Sequence, residues 1–415
     1  MKVNVKRLQR DFDNIAQFGQ LANGGVTRLA FSQADLQART YLKQVMVELK
    51  LEVYIDAFGN MRGRREGQLS LPPVVIGSHL DTVPDGGHYD GVVGLIGALE
   101  VIRVLNNNKI ITPRPIEIIN FSCEESSRFR AGTLGSKVLI GKITKEALKQ
   151  LADKDGISLY EALEKSGFNP EDIDNSRIYP GEIFAFIEMH IEQGPVLEQE
   201  KHHVGIVTAI AAPTRYKVII EGRADHSGNT PMYMRKDALT AASELILGVE
   251  EIAKNQAGEK TVGTVGYIYA QPGAMNVVPG RVELGIDIRD INMEDKKSAV
   301  GKVIKLISDI QERREIIINY EQLSDEEPVV LSEKVIKTIE EEAKTQNLSY
   351  KIMPSGAGHD AMYMANVTDV GMIFIPSIGG VSHNINEYSR MEDVAKGTEL
   401  LLGATLKLTQ EECDS

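Results

Sequence analysis

Cysteine is nearly missing from this 415-residue chain, which has two, Cys123 and Cys413. That is too few for a disulfide framework and sets the expectation of a reducing compartment and a cytoplasmic location. Long apolar runs are missing as well. No stretch approaches the roughly 18 uninterrupted apolar residues of a membrane-crossing helix. The start, Met1 to Phe12, is basic and polar with no apolar segment behind it, so neither a membrane span nor an export signal of that kind is expected. Basic residues are the minority, 46 against 59 acidic, for a formal net charge of −13. Nonspecific attraction to nucleic acid or to an anionic membrane is thereby disfavoured, and small molecules are the expected substrates. A repeat with a period of about 20 to 50 residues is absent, as is any low-complexity segment, which excludes solenoids and propellers.

What remains is the composition of a folded enzyme. Hydrophobic residues make up 42% and charged residues 25%, enough to bury a sizeable core. The length exceeds what one hydrophobic core serves, so two domains are expected.

The first half alternates between helical and strand patterns. Ser32 opens a run through Lys50, with Asp35 three residues on and apolar residues at helical spacing (Leu36, Tyr41, Leu42, Val45, Leu49), which predicts a helix. Short apolar runs at Glu52–Ile55, Pro73–Ser78, Pro115–Ser122 and Glu182–His190 read as strands, and Val92–Leu105 reads as a helix between two of them. This rhythm predicts an α/β catalytic domain with a largely parallel sheet. From Thr214 to Glu327 the pattern changes to strand, helix, two strands, helix, strand, and after it Ser332–Gln346 and Gly371–Ile375 return to the earlier rhythm. A smaller α+β domain, residues 214–327, is therefore expected to interrupt a catalytic domain made of residues 1–213 and 328–415.

Ligands of open α/β sheets bind at the carboxyl ends of strands. Here those ends read Ser78-His79-Leu80-Asp81, Cys123-Glu124-Glu125 and Glu188-Met189-His190. His79-x-Asp81 is followed by Gly86-Gly87-His88-Tyr89-Asp90-Gly91, which collects imidazole and carboxylate groups on one glycine-rich loop. Those are the donor types that bind Zn²⁺ or Mn²⁺. Consecutive residues at a strand end can point apart, so of Glu124 and Glu125 one can bind metal while the other takes a proton. Alone, a His-x-Asp is usually bland and a Glu-Glu pair is usually a solvated helix turn. Their conjunction with His190 and with His383 in Gly379-Gly380-Val381-Ser382-His383-Asn384 argues for a metal centre. His202 and His203 read as exposed loop, and His88 either lines the mouth of the site or faces solvent.

Nearly the whole chain resembles the M20-type metallopeptidase and amidohydrolase superfamily, and within it the branch of N-carbamoyl-L-amino acid hydrolases, allantoate amidohydrolases and β-ureidopropionases. The resemblance is carried by Gly24-Gly25-Val26-Thr27-Arg28-Leu29, Ser78-His79-Leu80-Asp81-Thr82-Val83, the Gly86–Gly91 loop, His190-Ile191-Glu192-Gln193-Gly194, Asn276-Val277-Val278-Pro279 and Ser355-Gly356-Ala357-Gly358-His359-Asp360. It implies two divalent ions per subunit (Zn, Mn, Co or Ni), held by His79, Asp90, Glu125, His190 and His383, with Asp90 between them. Which ion each histidine serves stays open.

The resemblance further implies that Glu124 is the general base for the attacking water and that Asp81 orients His79. In Gly222-Arg223-Ala224-Asp225-His226-Ser227-Gly228-Asn229-Thr230-Pro231-Met232 it implies a lid motif whose His226 stabilises the developing oxyanion and contacts substrate, across a dimer interface or within one chain. Asn276 and Arg289 match positions that grip the substrate carboxylate, although Arg289 has the alternative of a surface ion pair. Gln193 and His359 either touch substrate or support residues that do, and Gly356 and Gly358 permit close backbone approach. The implied partner is a small ureido acid, and the implied assembly is a homodimer through the lid domain. The lead substrate is an N-carbamoyl-L-amino acid, with allantoate the alternative. An aminoacylase or dipeptidase, or a non-catalytic scaffold for ureido acids, ranks behind. One departure is Ser126, where the branch commonly has glycine after the paired glutamates, and it bears on the substrate pocket rather than on the metal ligands.

Overall fold

The computed structural model describes residues 1–411; Cys413 lies outside them, and Cys123 is a buried free thiol. Two compact units emerge, one formed by Met1–Thr208 with the segment from Leu331 onward, the other by Ala209–Val330. Among the described residues no helix is long and apolar enough to cross a membrane.

The first unit is built on a mixed sheet. Its centre is parallel, in the order Ile116–Phe121, Val74–His79, Ala185–Ile191, Asp369–Ile375. These four strands are buried along nearly their whole length, which is why they read as short continuous apolar runs rather than as alternating ones. The edges are antiparallel: Met61–Arg65 and then Glu52–Ile55 on one side, and Val204–Ile210 on the other. The parallel character is thus confined to the central strands, where crossover segments return the chain.

Helix Val92–Asn107 is mostly apolar and buried from Val92 to Leu105, Glu100 and Arg103 included, and it packs on Val74–His79 and on the carboxyl-terminal helix Met391–Gln410. Aliphatic side chains from these elements form one continuous core. The expected helix at Ser32 spans Gln33–Glu48, and the Ser32 hydroxyl accepts from the Asp35 amide. The Asp35 carboxylate accepts from the Phe31 amide and from Arg39 rather than from Ser32, so the cap is tied into buried side chains behind it.

The second unit is a four-stranded antiparallel sheet, ordered Ile317–Asp325, Ala212–Glu221, Arg281–Asp290, Val262–Gln271. Residues alternate along its strands, so Val218, Ile220, Val282, Leu284, Ile286 and Ile288 face one core with helices Ala238–Glu251 and Met293–Arg314. This unit is wider than the 214–327 span of the hydropathy pattern. Its first strand begins at Ala212, two residues ahead of that span, and Val329–Val330 pairs with Ala209–Ile210.

Candidate metal centre

The carboxyl ends of the parallel strands converge as the strand rule requires. His79 is the last residue of its strand and His190 the sixth residue of Ala185–Ile191, while Glu124 and Glu125 follow the strand Ile116–Phe121. Asp90 sits on the glycine-rich loop that enters helix Val92–Asn107. His383 lies between strand Asp369–Ile375 and helix Met391–Gln410. Sequence distances of up to about three hundred residues collapse here because the sheet order differs from the chain order.

Three groups of potential ligands result; two of them share Asp90, His79 with Asp90 and His190, and Asp90 with Glu125 and His383, and the third is Glu188 with His190 and His359. Asp90 Oδ1 lies 3.1 Å from His190 Nε2 and 3.6 Å from His79 Nε2. Its other oxygen, Oδ2, lies 3.2 Å from His383 Nε2, which is 3.4 Å from Glu125 Oε1. Asp90 therefore offers one oxygen to each of the two groups it belongs to. The histidines are aimed by their far nitrogens: His79 Nδ1 donates to the Asp81 carbonyl at 3.0 Å and His190 Nδ1 to the Ile191 carbonyl at 2.9 Å. That leaves Nε2 of each turned toward Asp90, the arrangement metal-binding histidines use. Gly91 makes room for it. With φ at +66° it adopts a backbone conformation that suits glycine, and a Cβ there would stand 2.4 Å from the His79 ring.

The charge balance also fits cations. Asp81, Asp90, Glu124 and Glu125 have only histidines as ion-pair partners among the described residues. Burial and the neighbouring Glu125, Asp360 and Asp81 hold the Glu124 carboxyl well above its usual range, and burial with Asp90 and Asp81 does the same to Glu125. Burial pushes His79 down to about 4. It opposes protonation of His190 too, but Asp90 and Glu188 outweigh it and carry that imidazole up to about 9. Buried carboxylates in excess of basic groups are stable only when protonated or when a cation joins them.

Cys123, Gln193 and His383, on three separate loops, take φ of +57°, +57° and +54°. Glu124 reaches into the ligand groups, with Oε2 3.8 Å from His79 Nε2.

Asp81 does not orient His79 through its side chain. Its carboxylate is 3.9 Å from His79 Nδ1, and its main-chain carbonyl makes the bond instead. The carboxylate accepts from the amides of Glu124 and Glu125 at 3.2 and 3.0 Å, so Asp81 anchors the glutamate pair to the His79 turn. Gln193 directs Nε2 to Asp90 Oδ2 at 2.7 Å, and its Oε1 is buried without a partner, an acceptor awaiting a donor. His359 is buried, edge-on to His190 at 4.6 Å and bonded to Ser355, the placement of a support for His190. Gly358 and Ser126 are exposed. His88 is bonded to the Gly24 carbonyl.

In the second unit His226 and Asn276 are neighbours, through the pairing of Asp225–His226 with Val277–Val278 and a bond from the Ser227 amide to the Asn276 carbonyl. His226 Nδ1 accepts from the amides of Gly228 and Asn229, which leaves the proton on Nε2 of an exposed imidazole. Arg289 lies at the opposite end of strand Arg281–Asp290, paired across to Pro213 and Val262. Its guanidinium holds Asp287 at 2.9 and 3.1 Å.

Three groups around the centre, Glu188 and Glu387 buried and Ser382 half-buried, went unassigned from the sequence. Glu188 accepts from the Ser78 hydroxyl at 2.7 Å and the Ala361 amide at 3.1 Å. Its position two residues before His190 in a strand, hence on the same side, is the signal that marks it. Ser382 and Glu387 surround Asp90, and no spacing rule flags them.

A parallel-centred α/β domain that gathers histidines and carboxylates at its strand ends, with a carboxylate beside them, defines a metal-dependent hydrolase. Residues 75–407 match the model of peptidase family M20/M25/M40, and the chain belongs to that family. Its relatives make the class narrower. An N-carbamoyl-L-amino-acid amidohydrolase from a Pseudomonas species is 38% identical, with 98% of each chain covered. A ureidoglycolate hydrolase of Oryza sativa is 40% identical over 98% of this chain and 85% of that protein, and an allantoate amidohydrolase of Bacillus subtilis is 35% identical over 98% of each. A solved amidase of the hydantoinase/carbamoylase family from Burkholderia multivorans superposes with a TM-score of 0.92 at 34% identity, 98% of each chain covered. The protein is a metal-dependent amidohydrolase acting on a small molecule.

Proposed function

We propose that this enzyme hydrolyses the ureido C–N bond of an N-carbamoyl-L-amino acid, releasing the amino acid, ammonia and carbon dioxide. The observation that carries the reading is Asp90, whose two oxygens face two separate ligand groups with Glu124 alongside. Two divalent ions, one with His79, Asp90 and His190 and one with Asp90, Glu125 and His383, would polarise the scissile carbonyl and make water acidic. Ureido carbonyls are resonance-stabilised and need that help.

The chain's own groups do the rest. Glu124, whose Oε2 lies 3.8 Å from His79 Nε2, takes the proton of the attacking water and returns it to the leaving nitrogen. His226, with its proton on Nε2, donates to the developing oxyanion, and Gln193 offers its unpartnered oxygen to a substrate N–H. Arg289 and Asn276 grip the carboxylate.

The second unit serves as lid and dimerisation domain in this reading, with His226 and Asn276 completing the site of the partner subunit. Support comes from the strand that separates them from Arg289. The eight residue steps from Arg281 to Arg289 span about 26 Å at roughly 3.3 Å each, and His226 lies beyond the Arg281 end. A ureido acid is no longer than about two extended residues, roughly 7 Å. One small molecule cannot meet both ends of one domain.

Allantoate and ureidoglycolate are the rival substrates, favoured by the names of relatives at 35% and 40% identity. All three contain a ureido nitrogen on a carbon bearing a carboxylate. Ammonia release by Mn²⁺-loaded protein on a panel of N-carbamoyl-L-amino acids, allantoate and ureidoglycolate ranks them, with N-acetyl amino acids and dipeptides as controls. Inactivity on every ureido acid would refute the proposal. Elemental analysis after gentle purification identifies the metal and its stoichiometry.

A further inference from the structure

Glu387 is a buried carboxylate outside every motif that carries the family resemblance. Its Oε1 accepts from two consecutive backbone amides, Tyr89 at 2.9 Å and Asp90 at 3.0 Å. Its Oε2 lies 3.0 Å from the Ser382 hydroxyl, which is also 3.0 Å from Asp90 Oδ2. One side chain therefore joins the loop that presents Asp90 to the loop that presents His383.

Two glycines are spaced for this segment. A Cβ at Gly87 would stand 2.3 Å from both Cβ and Oε1 of Glu387, and a Cβ at Gly25 would stand 2.5 Å from Ile385 Cγ2. Gly25 and Gly87 belong to different glycine-rich loops, which are cross-bonded through Val26 and Gly86 in both directions. Removing both side chains lets residues 385–387 lie directly against them. Close backbone approach of this kind is what glycine permits and any other residue forbids.

We propose that Glu387 is a positioning residue that sets the reach between the two halves of the metal centre, holding the Asp90 backbone at a fixed distance from His383. It rests on the two-ion reading above. Its work is done by length and by acceptor geometry, since a single oxygen must meet two amides while the other meets Ser382. Charge is secondary to that reach, and the two are separable by substitution.

E387Q keeps the reach. Its amide oxygen can accept from both backbone amides, and its NH₂ can donate to Ser382 Oγ, whose own proton then turns to Asp90. E387D keeps the charge but is about 1.5 Å shorter, one C–C bond, and cannot serve the Tyr89 and Asp90 amides and Ser382 together. Calorimetric titration of metal-free protein with Mn²⁺ resolves the two binding steps. E387D is expected to weaken one step by about 10- to 100-fold, the usual cost of losing a group that orients ligands, leaving the other within about threefold and the Tm of the metal-free protein near wild type. E387Q is expected to keep both steps within about threefold. A merely structural role would lower the Tm of the metal-free protein and both steps together.

Unchanged binding in E387D overturns the proposal, as does E387Q weakening a step more than E387D, or an equal loss in both steps. If the wild type takes up a single ion, the two-ion reading fails instead, and the selective latch with it. Two-ion uptake by the wild type with an unaffected E387D fails the latch alone.

Discussion

Mixing two inactive variants tests whether one site draws on two chains. H226A removes the oxyanion donor and R289A removes the carboxylate grip, and each homodimer is expected to lose activity by about 10²- to 10³-fold, the usual cost of one such donor. If His226 serves the partner's site while Arg289 serves its own, a dimer of one H226A and one R289A subunit puts both defects into one site and leaves the other whole. Random mixing places about half of all dimers in the mixed form, each with one intact site of two, so about a quarter of wild-type activity returns. The reason is geometric. Arg289 and the His226 end of the same strand are separated by eight residue steps, about 26 Å, a gap that a small substrate and two side chains do not close. The assay is ammonia release after unfolding and refolding the two variants together, against each refolded alone. Recovery of a quarter supports shared sites. No recovery, with mixed dimers verified by mass, refutes the division of labour between His226 and Arg289.

Other outcomes follow from the centre itself. E124Q is expected to retain its metal by elemental analysis while kcat falls by about 10²- to 10⁴-fold, the range for a lost general base; unchanged turnover removes Glu124 from that role. Stripping divalent ions should abolish ammonia release and lower the Tm, because the buried carboxylates lose their counter-charge. At a hundredfold excess of ion over Kd the bound form gains about 2.7 kcal/mol, about 3 °C for a chain of this size, and calorimetry with and without Mn²⁺ reads it. G91A should weaken metal binding by at least about tenfold, since its Cβ would meet the His79 ring at 2.4 Å and its φ of +66° is strained for alanine; wild-type affinity would show that the turn yields freely. D81N should uncouple the glutamate pair from the His79 turn and reduce kcat by about 10- to 100-fold with little change in KM, and a KM effect alone would argue against that role.

Much of the fold was legible because buried parallel strands and a mostly apolar helix leave unmistakable runs: Val74–His79, Ile116–Phe121 and Val92–Asn107 lie within a residue or two of their expected ends. The elements that were not legible carry weaker local signals. Met61–Arg65, second from the edge of its sheet, carries three arginines, and helix Val5–Ala16 has a polar sequence whose buried apolar residues, Leu8, Phe12 and Ile15, are few. The helices between Leu134 and Lys165 are only six or seven residues long. In each case tertiary packing supplies what the local pattern does not.

The sequence alone determined the donor types and where they cluster: His79, Asp90, Glu124, Glu125, His190 and His383 stand at strand ends or on glycine-bearing loops, and that much is local. Only the tertiary structure decided the partners. It divided the ligands between two oxygens of Asp90, moved the aim of His79 from the Asp81 carboxylate to its carbonyl, and put Arg289 and His226 beyond opposite ends of strand Arg281–Asp290. It also brought Glu387 against Tyr89 and Asp90, some three hundred positions away. These facts depend on strand order and on which side chain reaches which loop, and a period of two or of 3.6 residues encodes neither.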